Sequence, residues 1–244
     1  MTADAQPLPL LRRATAEAVG TALLLAAVVG SGIMGERLAA GNVAIALLAN
    51  SVATGAALVA LILTFAPLSG AHFNPAVSMM SASQGELTAR ELAAYILAQL
   101  LGAFAGVACA DAMFGEPVFA WSHHARSGFP QLLSEAVATF GLLSVIVSCA
   151  RHRAHAVPFA VGAYIAAAYW FTASTSFANP AVTLARMATD TFAGIRPQDV
   201  FPFLAAQAIG ASAAVVLFRW LLAPRGARDI KASRPTESQT GVLA

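Results

Sequence analysis

The tripeptide Asn-Pro-Ala occurs twice, at Asn74-Pro75-Ala76 and Asn179-Pro180-Ala181, each time inside a stretch apolar enough to lie in a membrane. The flanks agree as well: His72-Phe73-Asn74-Pro75-Ala76-Val77 stands against Phe177-Ala178-Asn179-Pro180-Ala181-Val182. Asn caps a helix by accepting bonds from its first N–H groups, and Pro fits the first helical position because its missing N–H would have no partner there. Each copy therefore predicts a helix start. A helix that starts at membrane depth leaves N–H groups that lipid cannot satisfy, so it must lie beside protein or a water-filled path. Two such starts predict a pore.

Composition supports the membrane setting. Of 244 residues, 58% are hydrophobic and 11% charged, with mean hydropathy +0.71; soluble domains carry about 25% charged residues. The first apolar run is long enough to span and similar runs follow, which speaks against a cleaved signal peptide. The formal charge of +2 says little about partners. The basic run Arg225, Arg228, Lys231 and Arg234 is an ordinary flank of a last span, and no nucleic-acid partner is expected. Cys109 and Cys149 fall at the ends of apolar runs and read as inert thiols. His152 and His155 lie among arginines, and no Cys/His cluster has metal-ligand spacing. With no nucleophile–base pair or phosphate loop either, the chain reads as a non-enzyme with no metal, catalytic residue or cofactor.

Residues 18–35, 92–110, 136–150 and 200–218 contain no Asp, Glu, Lys or Arg; neither do 38–85 and 154–185, which are longer than one span requires. About 20 residues cross the hydrocarbon core, and the surplus in each long window holds an Asn-Pro-Ala copy. The prediction is six full spans, roughly 14–34, 42–66, 88–110, 130–150, 157–173 and 200–223, with two half-helices near 75–83 and 180–188. Nine helical residues rise only about 13 Å, to mid-membrane. With six spans and the N-terminus inside, Arg12, Arg13, Arg90, Arg151, Arg153, Arg219, Arg225, Arg228, Lys231 and Arg234 are cytoplasmic, and Arg37, Arg126, Arg186 and Arg196 lie outside. That is ten against four; eight spans would give eight against six, so the positive-inside rule favours six. Residues 1–13 are then a cytoplasmic segment, 14–223 one channel domain, and 224–244 a cytoplasmic, disordered tail, in a multi-pass protein of the cell's inner (plasma) membrane.

The domain is an internal repeat, about 14–110 and 130–223. Glu17-Ala18-Val19-Gly20-Thr21 returns as Glu135-Ala136-Val137-Ala138-Thr139, and Ala98-Gln99-Leu100-Leu101-Gly102-Ala103 as Ala206-Gln207-Ala208-Ile209-Gly210-Ala211. Three spans per half is odd, so the second half is inverted, a design frequent among transport proteins. The half-helices then enter from opposite sides, and Asn74 and Asn179 meet near the midplane. A helix N-terminus carries roughly half a positive charge; two aimed at one point oppose cations, hydronium included. The Asn side chains offer donors, the irregular backbone at Gly70-Ala71-His72 and Thr175-Ser176-Phe177 offers carbonyl acceptors, and the opposite wall is aliphatic. The expected function is passive conduction of small uncharged molecules.

These residues resemble the major intrinsic protein family, the aquaporins and aquaglyceroporins, over about 14–223. Ser69-Gly70-Ala71-His72-Phe73-Asn74-Pro75-Ala76-Val77 is similar to that family's first signature loop. The resemblance implies an all-α bundle of six helices and two half-helices, assembled as a homotetramer with one pore per subunit. It implies that Glu17 and Glu135 brace the re-entrant loops by accepting backbone hydrogen bonds. Gln99 and Gln207 read as interhelical hydrogen-bonding residues, and His72 as pore lining.

Most members carry Arg directly after the second Asn-Pro-Ala; here the residue is Val182. Gapless counting from the two asparagines places the other filter positions at Thr54, Ala167 and Ser176. That set, with Val182, holds no aromatic and no charge, so the expected filter is wide, passing glycerol, urea and neutral metalloid hydroxides such as arsenous acid as well as water. The run from Ser174 to Thr183 is similar to bacterial aquaglyceroporins associated with arsenic resistance. Arg186 reads as the end of the second half-helix, where a cation complements the dipole. A narrow water channel, its mouth closed by Arg186 or by a side chain that the counting does not place, is the alternative. An ion-coupled transporter would need Glu17 or Glu135 as its coupling site.

Overall fold

The computed structural model describes residues 8–222. The tail and residues 1–7 of the N-terminal segment lie outside the described residues. Eight α-helices run in the order α1 (Leu10–Leu38), α2 (Val43–Ser69), α3 (Pro75–Ser83), α4 (Ala89–Phe114), α5 (Phe129–His152), α6 (Val157–Phe171), α7 (Pro180–Ala185) and α8 (Pro197–Leu221). No strand occurs among the described residues, and six helical segments are long and apolar enough to cross a membrane: α1, α2, α4, α5, α8, and α6 together with the 3-10 turn Ala154–Ala156 before it.

Local chemistry places the ends. Asn42 caps α2 by accepting from the N–H groups of Ala44 and Ile45, and Thr88 and Glu91 form a reciprocal capping box on α4. Pro opens α3, α7 and α8. α3 matches the predicted half-helix. α7 is shorter than expected: its α-helical part stops at Ala185 and a 3-10 turn, Arg186–Ala188, continues it.

The halves pack alike. α1 lies against α2 and α4, α5 against α6 and α8, and α2 meets α6 at the seam. Small residues permit the closest crossings. A Cβ on Gly102 would stand 2.2 Å from the Ala18 carbonyl oxygen, and one on Gly210 the same 2.2 Å from that of Ala136. Such approaches are the usual way helices associate without a hydrophobic driving force. Polarity is distributed as lipid demands: Leu101, Ile209 and Val216 are exposed, while Glu17, Gln99, Glu135 and Gln207 are fully buried. The chain is a multi-pass membrane protein. α1 starts and α8 ends on one side, the terminal side; the loop 115–128 lies on the far side.

Candidate functional site

The two asparagines do two jobs each. The Asn74 side-chain oxygen caps α3 through the N–H of Ala76, and that of Asn179 caps α7 through Ala181 and Val182. With the oxygens occupied, the amide nitrogens point across the seam. Asn74 Nδ2 donates to the Ala178 carbonyl at 2.8 Å, and Asn179 Nδ2 donates to the Phe73 carbonyl at 2.8 Å. One hydrogen of each amide is thus spent on the opposite loop, and one remains.

Behind each asparagine stands a carboxylate. Glu17 accepts from Ser69 Oγ (2.6 Å), the N–H of His72 (2.9 Å), the N–H of Phe73 (2.7 Å) and Gln99 Nε2 (2.8 Å). Glu135 accepts the equivalent four from Ser174 Oγ (2.6 Å), Phe177 (2.8 Å), Ala178 (2.9 Å) and Gln207 Nε2 (2.6 Å). Each glutamine also donates to the following half-helix, at Ser78 Oγ and Thr183 Oγ1. These bonds hold a strained backbone. Positive φ occurs at Gly70, Ala71 and Phe73 in the first loop and at the matching Thr175, Ser176 and Ala178 in the second. For a residue with a Cβ each costs of order 1–3 kcal/mol unless its surroundings over-determine it.

A cavity of about 850 Å³ runs past both asparagines from the terminal side. On the half-helices its lining includes Asn74, Val77 and Ser81, with Met80 beside them, then Asn179, Val182 and Arg186. This is the same i, i+3, i+7 face in each copy. Gly70, Ala71, His72, Ser176 and Phe177 also line it, as do Leu58, Val161 and Ile165 on an aliphatic wall. Pro75, Ala76, Pro180 and Ala181 form the first turns behind the lumen. Thr175 is not part of the lining; its hydroxyl accepts from Arg126 Nη1 at 3.4 Å.

Two filter expectations are corrected. Thr54, Ser176 and Val182 line the cavity, but Ala167 is exposed on the outside of the bundle. The lining stripe of α6 is Val157, Val161, Ile165, Tyr169, and a residue midway between the last two points roughly 200° away from it. The cause lies at the helix end. α2 runs straight into Ser69, whereas α6 stops at Phe171, and Thr172 and Ala173 intervene before Ser174, the counterpart of Ser69. Gapless counting back from Asn179 therefore slips along α6. Tyr169 occupies the place instead, its hydroxyl 3.2 Å from Thr54 Oγ1.

The second correction is Arg186. It does end α7, as its C-cap, but its side chain turns into the cavity and puts a charge where the filter set has none. It is 2% exposed, lines the cavity, stacks its guanidinium 3.5 Å from the Phe177 ring centroid and donates from Nε to the Ala193 carbonyl. The signal is in the spacing: Arg186 lies four residues after Val182, on the same helical face. The far end of the cavity therefore holds an aromatic residue and a cation, where gapless counting predicts neither.

Sequence reasoning also missed Arg126, in the loop 115–128. In the first half Tyr95 OH donates to the Ser69 carbonyl at 2.7 Å. The residue matching Tyr95 is Phe203, which has no hydroxyl, and Arg126 Nη1 reaches the Ser174 carbonyl instead, at 3.2 Å. Its Nε donates to Gly194 O at 2.8 Å and its Nη2 to Phe192 O at 3.3 Å, while its guanidinium lies 4.9 Å from the Phe177 centroid. Burial lowers Arg126 to about 10, so it remains a cation at neutral pH. His124 beside it is lowered by burial and then by Arg126 and Arg186, which favours the neutral imidazole.

A model of the major intrinsic protein family matches residues 4–176, taking in the first Asn-Pro-Ala and stopping before the second. The chain is 57% identical over 219 residues to the aquaglyceroporin AqpS of Rhizobium meliloti (strain 1021), covering 90% of this chain and 94% of that one. It is 32% identical over 242 residues to a probable aquaporin AqpM of Archaeoglobus fulgidus, covering 87% and 97%. Among solved structures, the X-ray structure of the aquaglyceroporin from Plasmodium falciparum superposes with TM-score 0.72 over 88% of this chain and 98% of that one, at 23% identity. That likeness concerns the fold.

Proposed function

The chain belongs to the major intrinsic protein family, and from that premise we propose that it is a passive membrane channel for small uncharged solutes. The observation that carries this reading is the reciprocal pair of bonds from Asn74 and Asn179, which sets two half-helix N-termini against one cavity. Their dipoles oppose cations there. A neutral solute meets asparagine N–H donors on one side and Leu58, Val161 and Ile165 on the other, so it is oriented but not retained. Glu17 and Glu135 each accept four hydrogen bonds, which argues against a coupling-ion site and hence against an ion-coupled transporter.

The solute range proposed is glycerol, urea, neutral metalloid hydroxides such as arsenous acid, and water. The small Ser176 and Val182 and the 57% identity to a protein named an aquaglyceroporin support it. One observation favours the narrower, water-selective alternative: Arg186 and Tyr169 both reach the far end of the cavity. The channel is read as a homotetramer in the inner (plasma) membrane, with the terminal side cytoplasmic.

Proteoliposomes holding the purified chain are expected to pass glycerol and arsenous acid faster than empty liposomes. Equal rates would end the channel reading. Fast water flux without glycerol flux would select the narrow alternative.

A further inference from the structure

The cavity lining is unequally charged along its length. Its charged residues are Glu86, Arg151, Arg186 and Arg219. Three of the four stand at the terminal end, where Glu86 accepts from Ser81 Oγ and Arg219 donates to the Ser83 carbonyl. Arg186 stands alone at the far end. Among the described residues it makes no ion pair, and its only side-chain hydrogen bond is from Nε, so Nη1 and Nη2 have no acceptor there. The residue is only 2% exposed and lines the cavity, so those N–H groups are left to whatever the lumen holds unless a neighbouring group supplies an acceptor or a counter-charge.

The groups around it do not supply that. Arg126 is a second cation on the same Phe177 ring, with its donors turned to carbonyls and to Thr175 Oγ1. Glu135 is the nearby carboxylate, and its two oxygens are taken by the loop brace. Asp199 is committed to Arg196 and to the backbone N–H of Arg126. What remains free is donor capacity. Ser176 Oγ is buried without a partner, and Thr54 and Tyr169 share one hydroxyl contact.

We propose that the far end of the conduit binds one small monovalent oxyanion, held by the free Nη1 and Nη2 of Arg186 and obstructing the solute path while bound. A guanidinium presents a planar fork that matches two oxygens of one anion. Arg126 adds charge from behind without offering a competing ligand contact. The assignment of this cavity as the solute path rests on the channel reading above; the binding site itself does not.

The probe is nitrate, which has no neutral form at working pH. In detergent solution of the full chain, the 15N-nitrate resonance is expected to broaden, and Arg186→Gln to abolish that broadening. Arg37→Gln, which removes a far-side surface charge paired with Glu116, is expected to leave it as in wild type. Equal broadening with wild type and Arg186→Gln would overturn the site. Should Arg186→Gln not fold, Arg186→Lys keeps the charge without the fork and is expected to bind roughly tenfold more weakly; undiminished binding by that variant would overturn the fork. In proteoliposomes, replacing gluconate by nitrate at constant ionic strength is expected to slow glycerol flux in wild type; flux indifferent to nitrate, with binding intact, would overturn the obstruction. Absence of glycerol flux without nitrate would instead count against the channel reading, and the resonance measurement would still decide the site.

Discussion

Phe73 rests on Gly20: a Cβ at position 20 would stand 2.0 Å from the ring's Cε1. The ring is 1% exposed and is met edge-on by Phe65, with centroids 5.9 Å apart, so its room to move is limited. In the second half the matching residues are Ala138 and Ala178, so the helix has room for a Cβ where the loop carries no ring. Gly20→Ala is expected to destabilise the chain by about 1–3 kcal/mol through overpacking. Adding Phe73→Ala should recover part of it, a coupling that thermal unfolding of the four proteins in detergent measures directly. Additive losses would mean that the two positions do not share space.

Removing the second brace is expected to damage the loop more than the bundle. Glu135→Ala leaves the N–H groups of Phe177 and Ala178 without acceptors, at a cost on the order of 1–3 kcal/mol each. Unfolding in detergent should move to lower temperature and glycerol flux should fall. Glu135→Gln keeps an acceptor oxygen and is expected to lie between alanine and wild type.

Tyr169 and Ala167 make opposite predictions although two residues apart. Tyr169→Ala is expected to raise flux of glycerol relative to water, because the ring that meets Thr54 is gone. Ala167→Trp adds bulk outside the bundle and is expected to leave that ratio unchanged. Parallel stopped-flow measurements of both solutes check the pair, and a ratio that responded only to position 167 would restore the gapless register.

Val182→Arg places a second guanidinium one turn from Arg186 on the lining face. It is expected to lower permeation of bulky solutes more than that of water, and to destabilise the half-helix slightly through like charges at i, i+4. Unchanged glycerol flux would mean that Val182 does not bound the path.

Asp190 ties the far-side loops through His123, accepting its backbone N–H at 2.8 Å and meeting its ring nitrogen at 2.8 Å. Those bonds hold the Asp190 carboxyl below its ordinary value. A depressed carboxylate contributes stability above its unfolded pKa, and that contribution is lost as pH falls through the folded value. The pair is exposed, so the effect is small. Thermal midpoints of wild type and Asp190→Asn are expected to differ at neutral pH and converge in acid; a difference that grew in acid would contradict the sign.

Much of this architecture is legible without coordinates because it is encoded at short range. Asn before Pro states where a half-helix begins, the charge-free windows state how many helices cross, and three recurring landmarks state that the halves are inverted. Each signal spans a few residues or one helix, where capping and hydropathy act directly. Positions referred across a loop are less secure. Counting misplaces Ala167 because α6 ends before its loop does. The register of α6 is set against α2 at Gly55 and Gly162, where a Cβ on Gly162 would stand 2.6 Å from the Gly55 carbonyl oxygen.

Arg186 and Arg126 mark the same division. Which way a guanidinium turns depends on what lies within its reach, and the Phe177 ring and the carbonyls of Ala193, Gly194 and Phe192 are brought there by folding. The chain's sequence by itself determined that two helices start at one depth beside a path. Only tertiary packing decided which side chains close that path's far end, because a register between distant segments is settled by close contact and not by local preference.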